Sequence, residues 1–333
     1  MATLVIGCAE SHPSADDGSV LRDADTCHGV QPVDLLFVVQ GTGYMELLVR
    51  EAQDSLGELL TPLTAAGEFD LHVGVVISNL GAGEPWAECG LAGFDGVLMD
   101  QGAPHGESCE PTGRTFVVLN EETEVRAAQA DIACRLFHGN DLCWAQDLET
   151  LLKAVTPTDS TITFRGVAGG NADRENAGFL RPDAILAVIL LGRMNDCSAA
   201  DPSYLIHGPR CGRVCCEDEL FPVERYIEGL AALEREIVVN AIAGVPRGSF
   251  PAAADGSALR ALLDSPEMQR ESDALCSTAL VDYALPAPRL IRLAAAYPGV
   301  VRSVCAADDL GDGLGPAFRE IGEHLAERAR CSP

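Results

Sequence analysis

Val33-Asp34-Leu35-Leu36-Phe37-Val38-Val39-Gln40-Gly41-Thr42-Gly43-Tyr44-Met45 decides how this chain folds. The stretch 34–39 reads as a buried strand, and it stops abruptly at a turn holding Gly41 and Gly43. A helical pattern follows over about 43–64, with Leu47, Leu48, Leu56, Leu59 and Leu60 expected on one side.

The same grammar repeats along the chain. A second strand is expected at 71–78, where Val73, Val75 and Ile77 alternate with His72, Gly74 and Val76. After a Gly-rich stretch, a short strand is expected at 116–119 and helices at about 122–137 and 146–155. The run 184–191 is almost wholly aliphatic, the mark of a central parallel strand buried on both faces. A helix near 222–234, a strand at 236–243, a helix at 287–296, a strand at 299–304 and a helix at 314–330 complete the series. Strands alternating with helices predict an α/β fold: a doubly wound, mostly parallel sheet flanked by helices, with long disulfide-stapled loops. The expected organisation is a tether over 1–32 and one domain over 33–330, with insertions at about 79–114, 156–181 and 192–221.

Composition excludes some partners. Fifty acidic against 23 basic residues give a formal charge of -27. Nucleic acid is therefore not an expected partner, and an anionic membrane surface would repel the chain. The longest apolar run is far shorter than the roughly 18 residues that span a bilayer. Val5-Ile6-Gly7-Cys8 is similar to a bacterial lipobox, which makes Cys8 a lipidation candidate and implies a start upstream of Met1. An ordinary short apolar segment is the alternative.

Thirteen cysteines point to an oxidising compartment. Setting Cys8 aside leaves an even number, and close spacing favours Cys134 with Cys143, Cys89 with Cys109, and Cys276 with Cys305. His207, Cys211, Cys215 and Cys216 have spacing that zinc could use. In an oxidising compartment these cysteines are instead disulfide partners for Cys197 and more distant sites, with Cys211 the candidate carried beside Cys197.

The opening strand and turn resemble those of a von Willebrand factor type A domain, in which Asp-x-Ser-x-Ser holds a divalent cation. Phe69-Asp70-Leu71-His72-Val73-Gly74-Val75-Val76, Asn176-Ala177-Gly178-Phe179-Leu180-Arg181-Pro182-Asp183-Ala184, Asp196-Cys197-Ser198, Pro286-Ala287-Pro288-Arg289-Leu290 and Ser303-Val304-Cys305 are similar to phrases of a myxobacterial lipoprotein branch of that superfamily. The resemblance covers about 33–330 and implies binding as an activity. Its metal site is altered. Gln40 stands at the aspartate position, Thr42 keeps the first hydroxyl, Tyr44 replaces the second, and Arg193 stands where a distal carboxylate is expected. The middle ligand position falls near Gly139-Asn140-Asp141.

A hard divalent cation needs anionic oxygen ligands. At roughly 4 Å and an effective dielectric near 20, a guanidinium would repel it by about 8 kcal/mol. The expectation is a metal-free site in which Arg193 occupies the cation's place, bonded to Asp196 or to the turn carbonyls. Gln40, Thr42, Tyr44, Arg193 and Asp196 then form a degenerate adhesion site, set against a plainer reading in which Gly41 and Gly43 serve only the turn.

Other constellations carry less. Asn171, Asp173, Glu175 and Asn176 lack the spacing of a calcium loop and read as a polar surface loop. His138 near Cys134 and Cys143 suggests a nucleophile pair only if those cysteines are free. No hydrolase elbow, zinc-protease helix motif or phosphate loop is present. The expectation is a non-enzymatic, cofactor-free protein of the bacterial cell envelope that binds a protein or surface ligand. An extracytoplasmic hydrolase or zinc protein using His207, Cys211, Cys215 and Cys216, and a purely structural envelope protein, are the alternatives.

Overall fold

The computed structural model describes residues 30–41, 45–65, 69–80, 93–100, 113–136, 145–164, 167–201, 215, 217–247, 256–270, 272–278, 280–306 and 313–330. The first half of the chain forms β1 (Val33–Val39), α1 (Glu46–Thr64), β2 (Asp70–Ile77), β3 (Val117–Asn120), α2 (Val125–Leu136) and α3 (Asp147–Val155). A short ribbon, β4 (Thr163–Phe164) and β5 (Val167–Ala168), precedes β6 (Ile185–Leu191). Then come α4 (Glu224–Ala231), β7 (Ile237–Ala243), α5 (Gly256–Leu263), α6 (Pro266–Gln269), α7 (Pro288–Ala294), β8 (Val301–Ser303) and α8 (Gly315–Ala329).

The main sheet has the order β3-β2-β1-β6-β7-β8. Every pairing is parallel except that of β2 with β3 at one edge. β1 lies at the centre, hydrogen-bonded in full register to β2 and to β6. The reason is its composition: all seven residues are buried, so both faces need cover. Leu35, Phe37 and Val39 face α1, α2 and α8 through Leu48, Leu56, Ile132, Phe318 and Ile321. Leu36 and Val38 face α3, α4 and α7 through Leu148, Leu151, Leu230 and Leu290. The period-2 alternation of one strand thus divides the core into two layers.

Several expectations need correction. Leu47 is 49% exposed, because the apolar stripe of α1 runs through Leu48, Ala52, Leu56, Leu59 and Leu63 and leaves Leu47 off to one side. Asp173 and Glu175 are exposed, as expected of a polar surface loop, but Asn171 and Asn176 of the same stretch are buried. Asn176 is buried, where its Oδ1 accepts from Leu98 N and its Nδ2 donates to Gly96 O and Ala154 O. Asn171 Nδ2 donates to Asp95 O. These amides hold the 93–100 segment in place, and Met99 N donates to Val75 O, so part of the expected 79–114 loop seals the flank of β2. The stretch 192–199 is likewise buried throughout. No helix of the described residues is long and apolar enough to cross a membrane.

Candidate functional site

The parallel strands end together at one side of the sheet, the side where ligands settle in open α/β folds. Gln40 is the first residue past β1 and is 1% exposed. Its Oε1 accepts from Arg193 N at 2.9 Å and Met194 N at 3.0 Å. Its Nε2 donates to Met194 O and to Asp147 Oδ2, each at 3.0 Å. One amide therefore joins β1, the loop after β6 and the start of α3, with all four of its bonding positions used. Gly192 makes room for it, since a Cβ there would lie 2.8 Å from Gln40 Nε2. Gly41 is needed for a similar reason: a Cβ would meet Ile77 Cγ2 at 2.8 Å. Its backbone N–H donates to Ser78 Oγ.

The loop after β6 is a hub for two helix starts. α3 begins with no side-chain cap of its own from Gln146. Asp196 Oδ1 accepts from Leu148 N at 3.0 Å, and Ser198 Oγ accepts from Glu149 N at 3.0 Å. Two orphan N–H groups are thus capped from another part of the chain. Asn195 Oδ1 accepts from Arg289 N in the first turn of α7. Asp196 also accepts from Ser198 Oγ at 2.6 Å, from Ser198 N, and from Arg289 Nε at 3.0 Å. Both members of the Asp196–Arg289 pair are fully buried. Arg289 donates onward to Phe221 O.

Next to this ion pair, Glu149 is held by a two-pronged contact with Arg225, whose guanidinium lies over the Phe221 ring. Asp147 differs. It is 2% exposed, and no cation pairs with it among the described residues. Burial pushes its carboxyl up to about 8, with the negative charge of Asp196 adding to the rise and hydrogen bonds to Gln40 and Ser78 opposing it. Burial likewise raises the Tyr226 hydroxyl, with Asp196 and Glu149 adding to the effect.

The expected site residues separate accordingly. Gln40, Arg193 and Asp196 meet at this crest, whereas Thr42 and Tyr44 lie outside the described residues. Arg193 does not hold Asp196. Its Nη1 donates to Tyr283 O, and its guanidinium sits 4.4 Å from the Tyr283 ring centre. The reason is that Leu285 N bonds to Arg193 O, which draws the 281–287 segment against the end of β6 and puts Tyr283 beside the side chain. Arg289, which the sequence offered only as part of a resembling phrase, takes Asp196 instead. Ser198, Ser78 and Asp147 were missed as well. An acid in the first turn of a helix is ordinary in sequence, so nothing local marked Asp147.

Cys276 and Cys305 are bridged. Cys197 is bridged to Cys215 rather than to Cys211, because the antiparallel contact of Ala199 with Leu220 brings the chain back alongside Cys197. Cys215 is thereby unable to serve zinc as a thiolate. Cys134 is also disulfide-bonded, so it is no nucleophile. Cys8, Cys89, Cys109, His138, Cys143, His207, Cys211, Cys216 and the 139–141 stretch lie outside the described residues. Bridges of this kind belong to an oxidising, non-cytosolic setting.

No family model and no curated protein matches the sequence. Among solved structures, the fold is similar to a von Willebrand factor type A protein from Catenulispora acidiphila, with 12% identity and a TM-score of 0.38 over 90% of this chain and 43% of that one. It is similar to the human COPII-coat protein Sec24c at 12% identity and a TM-score of 0.36, over 90% of this chain and 34% of that one. Proximal thread matrix protein 1 from the mussel byssus shows 13% identity and a TM-score of 0.28, over 64% of this chain and 39% of that one. The chain thus spans less than half the length of each of these proteins.

Proposed function

We propose that this protein is a non-enzymatic binding protein that works outside the cytoplasm and presents the crest above Gln40 to a protein or surface ligand without a metal ion. The observation that carries the reading is the state of the polar atoms around Gln40. Gln40 Oε1 already accepts two backbone N–H groups, and Asp196 already accepts four bonds, one of them from Arg289. A cation here would have to break that set, and the oxygens it gained would not be in excess. The disulfides support the compartment, and an acyl anchor at Cys8 would fix the protein to a bacterial envelope membrane.

Thr42 and Tyr44 are the proposed contact residues, Tyr being a common anchor of protein interfaces; Arg193, expected to join them, is 2% exposed and packed against Tyr283, so it is not itself open to a ligand. The test is a melting titration of the oxidised protein with magnesium, manganese and calcium, run beside a Gln40→Asp, Tyr44→Ser, Arg193→Asp triple variant. The native protein is expected to show no shift, while the variant gains about 2.7 kcal/mol when the ion reaches 100-fold its dissociation constant. Stabilisation of the native protein that Thr42→Ala abolishes would overturn the metal-free reading.

A further inference from the structure

We propose that Cys27 and Cys331 form a disulfide that clamps the stretch leading into β1 onto the end of α8. Both cysteines lie outside the described residues, and the residues beside them carry the inference.

Two distant parts of the chain meet where β1 begins. Val30 forms an isolated antiparallel bridge with Arg330, and Gln31 N donates to Ala329 O at 2.8 Å. The contact is fixed from both sides. Val30 packs against the core that α8 shares with α1, Gln31 Nε2 donates to Asp183 O, and Pro32 O accepts from Ile185 N at the start of β6. Ala329 is buried, at 3% exposure. Cys331 is the next residue after Arg330, and Cys27 stands three before Val30.

Reach decides the pairing. A disulfide needs Cα atoms about 4.4–6.8 Å apart, and bridged partners such as Val30 and Arg330 lie about 5 Å apart. Three residues span at most about 11 Å, so Cys27 stays near that contact, and Cys331 stays nearer still. The crest lies a whole strand away, since β1 runs seven residues, or roughly 23 Å.

The remaining cysteines are rooted away from this contact. Cys197 is joined to Cys215, which Cys211 and Cys216 flank in sequence, and Cys197 N donates to Ala145 O beside the start of α3. Cys143 stands two residues before Ala145. Cys89 falls between Leu80 and Phe94, and Phe94 N donates to Asn79 O past the end of β2. Cys109 precedes the end of β3 that faces Val73, away from Asp70. Cys276 and Cys305 hold each other, and Cys134 is already bonded beside Ala133, whose O accepts from Gln53 in the crest half of α1. Cys8 has enough chain before Val30 to reach either cysteine, so the experiment separates it.

Closure removes two protons and two electrons from the pair of thiols. A disulfide of the oxidising compartment takes both by exchange and leaves as two thiols. The bridge closes a loop of almost the whole chain, which restrains the unfolded state strongly. It also secures a seam that is otherwise held by one short contact. Under the anchored reading above, a pull through Cys8 enters at Cys27 and passes into α8, so β1 is not peeled from the sheet. That consequence rests on the anchored reading; the bridge does not.

Tryptic mapping of the full oxidised protein, blocked with a maleimide and kept unreduced, tests the clamp. Fragments 23–50 and 331–333 are expected as one species that separates on reduction. Labelling of Cys27 or Cys331 before reduction, or recovery of either one joined to Cys8 or to any other cysteine, would overturn the proposal. In a Cys27→Ser, Cys331→Ser variant the Gln31 amide is expected to lose roughly tenfold or more of its exchange protection, while Leu36 and Phe37 inside β1 keep theirs. Unchanged protection at Gln31 would overturn the clamp as a restraint on this seam. The mapping is read on the native protein, so it decides even where the variant does not fold. It involves neither an anchor nor a partner of the crest, so its failure is distinct from theirs.

Discussion

The two ends of the central strand bury acids in opposite ways. At its start, Asp34 is 0% exposed and accepts from Arg181 N at 2.7 Å and Arg181 Nε at 2.8 Å. Arg235 stands 3.7 Å away and His72 3.8 Å away. Burial pushes the Asp34 carboxyl up, while the hydrogen bonds and charge of Arg181 pull against the rise. Arg181 also donates to Val33 O and Asp70 O, tying β1 to β2. At the other end, Asp147 has an amide and a hydroxyl against it and a second acid beside it. The first end is compensated and structural; the second retains an acid that needs a proton. That difference is what marks the crest as the end where function is to be sought.

The largest effect that could break this comparison is expected at the first end. Arg181→Met leaves Asp34 buried without its main partner and should cost about 3–5 kcal/mol in denaturant unfolding. A loss below about 1 kcal/mol would show that Arg235 suffices and that the two ends are less different than the geometry says.

The bridge Cys197–Cys215 closes a loop with a sequence separation of 18 beside the crest. Replacing both cysteines with alanine should cost about 2–4 kcal/mol at equilibrium. The Asp34 end should be untouched, which exchange protection of β1 and β2 amides near Leu71 would check.

Asp147→Asn gives the comparison its sharpest test in sign. The folded protein keeps a proton on Asp147 up to about pH 8 that the unfolded chain releases near its ordinary value of 3.8. The group's contribution to stability is therefore fullest below about pH 4 and is lost as pH rises through about 8. The asparagine variant should match the native protein near pH 4 and be the more stable of the two near pH 9. A native stability that falls in parallel with that of the variant would assign the pH dependence to other groups.

Legibility in the sequence followed the range of the interactions. The run 184–191 announced a central strand, and Ile185–Leu191 lies between β1 and β7 with all seven residues buried. The alternation at 71–78 likewise located β2 to within a residue. By contrast, Leu47 was placed on the wrong side of α1, because its neighbours in the turn are equally apolar and only packing chooses between them. The 171–176 stretch looked like solvent-facing polarity. Asn171 and Asn176 are instead buried amides spent on backbone, a use that polar composition alone does not show.

At the crest, the sequence by itself determined that a strand ends in Gln40 at a glycine turn, that the strand after 184 is central, and that Arg193 and Asp196 follow it closely. These are matters of local periodicity and adjacency. Tertiary structure alone decided who meets whom. Gln40 reaches Asp147 across 107 residues, and Asp196 reaches Arg289 across 93. At such separations no spacing in the chain encodes a partner. The choice falls to the sheet order, which lays the ends of β1 and β6 side by side and brings the first turns of α3 and α7 over them.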